Sequence, residues 1–451
     1  MIHPARIIII GGSAAGAAAA AKAKRVSPVT DVILFEKSPY ISTGVCEIPY
    51  VISGDIEDYR KLIFYDPEKF SSEKSVRVFV NHLVESIDRQ KKNISVRDLI
   101  TGETKNNSYD KLIITTGSKS IELPKFDPFL KNVFYIKSIP DLKKYLEYKK
   151  NNQVKSAAVV GAGLLGLEMV DALRSTGIET SLFEKNSHPF PSAEKEIQLL
   201  INELLNKKDV NFYSNAADIK PFIEQNKIRS IKLDGRVLEY DVYFVTAGVK
   251  PDTSLFEKSK IEIGRSGGIR VDNKLNTSDS NIYAAGDCIE VMNFVTRRYE
   301  VIPLATFSRD YGHIAGANAA GENIRTNPVV KNISVKIFDK YFASCGITTE
   351  EAKSQRISFK YVDASVPNLV TVMPGAENVY GKILFSTDNK KILGASFFGG
   401  REVSGYSDLI SGLISAGQEI SVLSKINFNY TPPLSSFKNL LSVLGRKSLN
   451  V

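Results

Sequence analysis

Cysteine is scarce: Cys46, Cys288 and Cys345 are the only three in 451 residues, and they stand far apart. That spacing excludes a disulfide framework and a cysteine-based zinc site. No run of 18 or more apolar residues occurs, so no transmembrane helix is expected. No signal peptide precedes the first apolar strand, and the expected home is the reducing cytoplasm. Histidine is also rare, with His3, His82, His188 and His313 and none further on. Basic residues are spread out and form no basic helix or RNA-binding motif, which argues against a nucleic-acid partner. There is no low-complexity tract.

The length suffices for about three domains. Lysine and arginine exceed aspartate and glutamate by a formal net charge of +9. A solvated lysine-rich surface accounts for that charge, and a pocket for a polyanion is the sharper alternative.

Two glycine-rich turns carry the chemistry. The cleaner is the second. Ala157-Ala158-Val159-Val160 reads as a buried strand, Gly161-Ala162-Gly163-Leu164-Leu165-Gly166 as a turn, and 167–175 as a helix. Gly161 permits the tight turn, Gly163 admits a pyrophosphate to the backbone, and Gly166 lets helix pack on strand. The helix N-terminus offers free N–H groups to the phosphates. A further strand, Thr180-Ser181-Leu182-Phe183, ends at Glu184, roughly 20 residues on, where a carboxylate accepts from an adenosine ribose. A 2′-phosphate would be repelled there, which favours NADH over NADPH. Lys185 softens that preference and keeps NADPH open.

The first turn is less regular. Ile7-Ile8-Ile9-Ile10 is an apolar strand, followed by Gly11-Gly12-Ser13-Ala14-Ala15-Gly16, with small Ser13 where the pattern has glycine. The alanine-rich run 14–23 is a strong helix former. Val32-Ile33-Leu34-Phe35 then ends at Glu36, followed by Lys37. A strand enters Thr116-Gly117, an echo of it enters Gly248, and Ile282-Tyr283-Ala284-Ala285 enters Gly286-Asp287. A small-residue helix is expected near 308–320. After about Pro328 come strands at 334–338 and 382–385 and a helix at 406–416, a mixed α+β pattern. Strand–helix alternation before that point predicts an α/β chain with two Rossmann-like units.

Cys46 lies in Ser42-Thr43-Gly44-Val45-Cys46-Glu47-Ile48-Pro49-Tyr50. Pro49 suits the first turn of a helix. Cys46 would then sit at a helix N-terminus, which lowers a thiol pKa. Glu47 works against this by raising it, although a carboxylate also suits a helix N-terminus.

Together these residues resemble the flavin-dependent pyridine nucleotide–disulfide oxidoreductases over essentially the whole chain. Within them the chain resembles the single-cysteine branch, most closely the coenzyme A-disulfide reductases, whose relatives include polysulfide reductases and NADH oxidases. The turn at Gly11 through Lys22-Ala23-Lys24-Arg25, the stretch 40–50, Ala284-Ala285-Gly286-Asp287 and Tyr430-Thr431-Pro432-Pro433 carry the likeness. The resemblance implies an FAD-binding domain over 1–150 and 248–327, an NAD(P)-binding domain over 151–247, and a dimerisation domain over 328–451 forming a homodimer. It implies Glu36 on the FAD ribose, Asp287 on its ribityl or pyrophosphate portion, and Gly117 and Gly248 at the crossings between units.

Two-cysteine relatives carry Cys-x-x-x-x-Cys, but Ile41 and Val51 stand at those positions, so an internal active-site disulfide is excluded. The implied cycle starts from a Cys46–S–S–coenzyme A mixed disulfide. Electrons from NADH reach it through FAD, and the freed thiolate attacks coenzyme A disulfide. Tyr430 of the partner subunit is the candidate proton donor. Lys22, Arg25, Arg60 and Lys61 are candidates for the coenzyme A phosphates, with Ser42 as a neutral contact. Glu47 replaces the family's usual glycine, and Val372-Met373 stand where tyrosines are common in this branch. Alternatives are an NADH oxidase or peroxidase through Cys46 sulfenic acid, and a polysulfide or sulfur reductase through a persulfide. An NADH-dependent electron donor to a small redox protein is a third, and a non-catalytic redox sensor a fourth. Cys288 reads as a core residue, and Cys345 as a remote candidate thiol partner across subunits.

Overall fold

The computed structural model describes residues 5–256 and 259–451; His3 lies outside them. In the first unit β1 (Arg6–Ile10) turns into α1 (Ala14–Val26) and returns as β2 (Asp31–Phe35). A short helix, α2 (Ile48–Ile52), follows the cysteine, and β3 (Arg77–Phe79) and β4 (Lys111–Ile114) extend the sheet. Parallel pairing orders them β3-β2-β1-β4. Ile7, Ile8, Ile9 and Ile10 are all buried, which is why β1 is a continuous apolar run and not an alternating one.

The second unit repeats the plan. It contains β5 (Val133–Phe134), α3 (Ile139–Asn151), β6 (Ser156–Val160), α4 (Leu164–Ser175), β7 (Glu179–Phe183), α5 (Lys195–Lys207), β8 (Asn211–Tyr213) and β9 (Val242–Val245). Its parallel order is β5-β9-β6-β7-β8. Two details differ from the expectation. The helix after the second glycine turn begins at Leu164, inside the fingerprint, because Leu164-Leu165-Gly166 already form its first turn. The edge strand at Val133 lies upstream of residue 151, since a two-residue strand is too short for any periodicity to announce it.

Further on, β10 (Ile282–Ala284) returns to the first unit and pairs with β4, closing the first sheet at five strands. Behind it α6 (Ala305–Ala319) lies along α1. A Cβ at Gly312 would come within 2.2 Å of the Ala15 carbonyl oxygen, and one at Gly316 equally close to that of Ala19. The small residues of this helix therefore exist to let two backbones touch. That contact holds Gly286 and Asp287 against the start of α1.

The third unit is a five-stranded antiparallel sheet flanked by helices. Its elements are β11 (Asn332–Ile337), β12 (Lys340–Gly346), α7 (Thr349–Ser354), β13 (Phe359–Pro367), β14 (Asn378–Ser386), β15 (Ile392–Gly399), α8 (Glu402–Ser415) and α9 (Leu440–Ser448). The order is β11-β12-β15-β14-β13. Two Rossmann-type units and a mixed α+β unit are thus present, as the sequence pattern predicts.

A buried ion cluster joins the second and third units. Lys382 of β14, with a side chain 4% exposed, places its Nζ 3.0 Å from Glu194 and 3.2 Å from Glu196, at the start of α5. Glu194 also accepts the Thr349 N–H at the start of α7, at 2.7 Å. Lys382→Met leaves the Glu194 carboxylate buried and without its cation. The expected result is a loss of about 3–5 kcal/mol in denaturant unfolding, partly recovered by adding Glu194→Gln.

Candidate functional site

The two glycine turns are built by the same bonds. Gly11 and Gly161 adopt φ of 100° and 110°, a region closed to most side chains. A Cβ at Gly16 would lie 1.8 Å from the Gly11 oxygen, and one at Gly166 would lie 2.0 Å from the Gly161 oxygen. The Gly12 N–H donates to Glu36 Oε2 at 2.6 Å, and the Ala162 N–H donates to Glu184 Oε2 at 2.9 Å. The other carboxylate oxygens accept from the Ser38 N–H, and from the Asn186 N–H and side-chain amide. Both acids therefore brace their own turns first. A carboxylate has about four acceptor sites, so some remain for ribose hydroxyls.

Two threonines complete the symmetry, and sequence reading overlooked both. The Thr115 hydroxyl donates to the carbonyls of Ile10 and Gly11, and the Thr246 hydroxyl to those of Val160 and Gly161. Each stands two residues before a glycine, Gly117 and Gly248, which is the signal that could have found them.

Neither α1 nor α4 has a capping side chain: Ser13 and Gly163 occupy the cap positions and make no cap hydrogen bond. Ser13 is exposed, and a Cβ at Gly163 would meet nothing within 4 Å. The first-turn N–H groups of Ala14 and Ala15, and of Leu164 and Leu165, are thus left for an anion. This cradle fits the pyrophosphate of a dinucleotide at each turn.

Asp287 closes the first cradle. Its carboxylate accepts from the Ser308 hydroxyl at 2.7 Å and the Ser118 hydroxyl at 2.8 Å, and Lys137 Nζ stands 3.4 Å away. Gly117 and Gly248, both at positive φ, open into an antiparallel ribbon of Ser118–Ser120 against Val249–Pro251 that ties the units together. Beside it the Thr116 hydroxyl donates to the Asp252 carbonyl, and Lys37 pairs with the Asp252 carboxylate at 3.5 Å. Lys185 is exposed beside the buried Glu184.

Cys46 is the middle residue of a single 3₁₀ turn, Val45–Glu47, that leads into α2, with Pro49 in the helix's first turn. Ser42 anchors this loop: its N–H donates to the Gly12 carbonyl at 2.8 Å, and its φ is 48°. The cysteine is therefore pinned to the first glycine turn by backbone. The residue is accessible to solvent.

The expected lowering of the thiol pKa is not what the structure shows. Burial pushes Cys46 above its ordinary range, and the carboxylates of Glu47 and Glu168 push it further. Lys137 opposes them, and Asp287 adds a smaller push upward. A five-residue helix brings little dipole to set against three carboxylates. Glu47 does not cap α2 either; its Oε2 is buried without a hydrogen-bond partner among the described residues, and it folds over Gly44. Cys288 and Cys345 are buried, and burial pushes their thiols up to about 11 and 12. That leaves Cys46 as the accessible thiol and removes Cys345 as a cross-subunit partner.

The candidate phosphate ligands divide. Lys22 and Arg25 lie on α1 facing α6, where Arg309 joins them around a half-buried His313. Burial, then Arg309 and Arg25, hold that imidazole below its usual range. Lys22 also stands 3.6 Å from Glu322. Arg309 and His313 were missed in the sequence, although their helical spacing puts them on one face. Arg309 likewise stands 3.8 Å from Asp310. Arg60 is taken by Asp58 at 2.6 Å, and Lys61 faces Glu57 at 4.0 Å. Tyr430 lies in an irregular stretch, stacked on Phe437 at 3.8 Å, and its hydroxyl bonds to no described residue. Its neighbours Leu434 and Phe437 are 76% and 75% exposed, an apolar strip that no described residue covers.

Residues 5–309 match the family described as pyridine nucleotide-disulphide oxidoreductase, and residues 333–440 match its dimerisation domain. The chain belongs to this family of NAD(P)H-dependent flavoproteins. It is 29% identical over 445 residues to a protein named NADH oxidase from Methanocaldococcus jannaschii, covering 98% of both chains. It is also 29% identical over 450 residues to a coenzyme A disulfide reductase from Staphylococcus aureus, covering 98% of this chain and 99% of the other. A solved NAD-dependent persulfide reductase from A. fulgidus superposes with a TM-score of 0.94 at 28% identity, covering 99% of this chain and 83% of that one.

The charge around the thiol makes one measurable claim. In Glu47→Gln the pH profile of Cys46 alkylation by neutral iodoacetamide should move to lower pH as a whole, because one of the groups holding the thiol protonated is gone. An unmoved profile would show that Glu47 does not act on the sulfur.

Proposed function

We propose that this NAD(P)H-dependent flavoprotein reduces coenzyme A disulfide, passing through a Cys46–S–S–coenzyme A mixed disulfide. The observation that supports it is the lone accessible thiol, pinned to one glycine turn and lacking an internal partner. In this reading FAD occupies the first cradle, against Gly11, Gly12, Ser13, Ala14, Ala15, Gly16, Glu36, Thr116, Gly117, Gly286 and Asp287. NADH occupies the second, against Gly161, Gly163, Leu164, Leu165, Gly166, Glu184 and Gly248. FAD, when bound, supplies the transfer of two electrons from the nicotinamide toward sulfur. The chain's own part is to hold both dinucleotides by helix ends and to present one sulfur to an outside disulfide. Tyr430 would act from the partner subunit of a homodimer, with its exposed apolar strip covered by that partner.

Charge distribution favours this substrate over polysulfide. Three carboxylates near Cys46 outweigh Lys137. A polysulfide dianion would bring its charge to the reacting sulfur and be repelled there. Coenzyme A disulfide reacts through neutral sulfurs and keeps its phosphates at the far ends, where Lys22, Arg25 and Arg309 can meet them. Reduction of polysulfide through a Cys46 persulfide is the second reading, favoured by the likeness to the persulfide reductase.

Intact mass before and after a thiol reductant tests the proposal: a loss the size of coenzyme A is expected, and a bare thiol would overturn the resting state. Cys46→Ser should abolish disulfide reduction while NADH still bleaches the flavin. Replacing Lys22, Arg25 and Arg309 together by alanine should raise KM for coenzyme A disulfide by roughly tenfold or more, equivalent to about 1.4 kcal/mol, with kcat little changed. Added salt should shrink the difference from wild type, since screening weakens exposed charges.

A further inference from the structure

The two acids that brace the glycine turns are not held alike. Glu36 accepts two hydrogen bonds from described residues, both from backbone N–H groups, those of Gly12 and Ser38. The Ser38 hydroxyl turns elsewhere and donates to the Tyr40 carbonyl at 2.9 Å. Glu184 accepts the two equivalent backbone bonds, from Ala162 at 2.9 Å and Asn186 at 3.0 Å. It then takes a third. Asn186, which follows Glu184 as Ser38 follows Glu36, donates its side-chain amide to Glu184 Oε1 at 2.6 Å. The two cradles therefore differ by one side-chain bond at the acid.

Backbone bonds fix Asn186 where it stands. The Ala162 N–H donates to Glu184, and the Ala162 carbonyl accepts the Phe190 N–H at 2.8 Å, with Phe190 at a φ of 54°. The segment 185–189 thus leaves and rejoins a single residue of the second glycine turn. The Asn186 carbonyl accepts the Asn215 N–H at 3.0 Å, and the Glu184 carbonyl accepts the Ala216 N–H at 2.8 Å. Asn186 is thereby held beside the acid, at the strand end where an adenosine ribose meets this type of cradle. Lys185 and Ser187 flank it and are exposed, while Glu184 itself is buried.

We propose that Asn186 opens the second cradle to 2′-phosphorylated nucleotides, bridging the Glu184 carboxylate and a 2′-phosphate through the two N–H groups of one amide, with Lys185 as counter-charge. The inference rests on the reading of the second turn as the nicotinamide nucleotide cradle. A carboxylate has about four acceptor sites. Glu184 spends three of them on described donors, which leaves too few for both hydroxyls of a ribose. Its preference for an unphosphorylated ribose is weakened to that extent. A primary amide has two N–H donors. One N–H of Asn186 is on Glu184, and the other bonds to no described residue. A 2′-phosphate placed there meets that N–H and the Lys185 ammonium before it meets the carboxylate, and both bonds would be charge-assisted. The second cradle then takes NADPH as well as NADH. The first cradle, with Ser38 in the corresponding place, has no such bridge.

The test uses the FAD-loaded holoenzyme, so that the first cradle is filled, and follows binding of 5′-ADP and 2′,5′-ADP by calorimetry. Wild type should bind the two with affinities within about tenfold of each other. Asn186→Ala should weaken 2′,5′-ADP by about tenfold or more, as loss of a hydrogen bond to a charged group does. The same variant should hold 5′-ADP or bind it more tightly, since Glu184 regains an acceptor site. Asn186→Asp places a second carboxylate at the phosphate and should weaken 2′,5′-ADP further still. Lys185→Ala should weaken 2′,5′-ADP by about threefold, a difference that added salt removes. An Asn186→Ala protein that keeps the wild-type ratio of affinities overturns the proposal, as does a wild type that binds 5′-ADP and ignores 2′,5′-ADP. A holoenzyme that binds neither ligand refutes the reading of the second turn as a nucleotide cradle, and the proposal with it.

Discussion

A thiol must give up its proton before it can attack a disulfide, and around Cys46 most of the charge opposes that loss. Crowding disfavours the thiolate, and Glu47, Glu168 and Asp287 add repulsion against a single cation, Lys137. The rest of the site is arranged around that constraint. A disulfide partner within the chain would have trapped the sulfur in another form, and none exists. The cations Lys22, Arg25 and Arg309 gather instead around His313 on α1 and α6 and are not among the charges that act most on the sulfur. The sulfur thus does not sit in a standing electropositive pocket.

The scaffold that holds this sulfur is one device used twice. In each Rossmann-type unit a strand ends in a glycine at positive φ, an acid from the next strand accepts the following N–H, and a threonine hydroxyl bridges the two preceding carbonyls. These bonds spend the turn's inward-facing polar groups on each other. The helix-end N–H groups that point outward stay free. An anion cradle of this kind needs no charged side chain, which explains how FAD and NADH could both be held while lysines remain on the surface. The cysteine loop borrows the same rigidity, because Ser42 bonds directly to Gly12.

Much of this was legible from residues alone, for a physical reason. Strand, glycine turn, helix and acid are local in sequence, so their spacing carries the geometry, and the two parallel sheets follow from it. The family likeness at the cysteine and at Asp287 supplied the rest of the site. What stayed hidden depends on contacts across the chain. Thr115 and Thr246 look like ordinary strand ends until the carbonyls they bridge are in place. Ser118, Ser308 and Lys137 meet Asp287 from three separate segments. Glu168 looks like any carboxylate on a helix face, and only the packing of α2 against α4 buries it. The thiol pKa went the wrong way for the same reason: Pro49 and Glu47 can be read from the sequence, but the burial of the thiol and the approach of Glu168 and Asp287 cannot.

The missing histidine sharpens what the third unit must do. No histidine lies beyond His313, so the third unit holds no imidazole with which to move a proton. Tyr430 offers a hydroxyl that bonds to no described residue, on an irregular stretch beside the exposed Leu434 and Phe437. The buried Lys382–Glu194 pair does not act alone: with the Asp171–Phe338 bond and the packing of Val335, Ile337 and Phe342 against the second unit, it fixes the unit that carries Tyr430 against the unit that carries the second glycine turn.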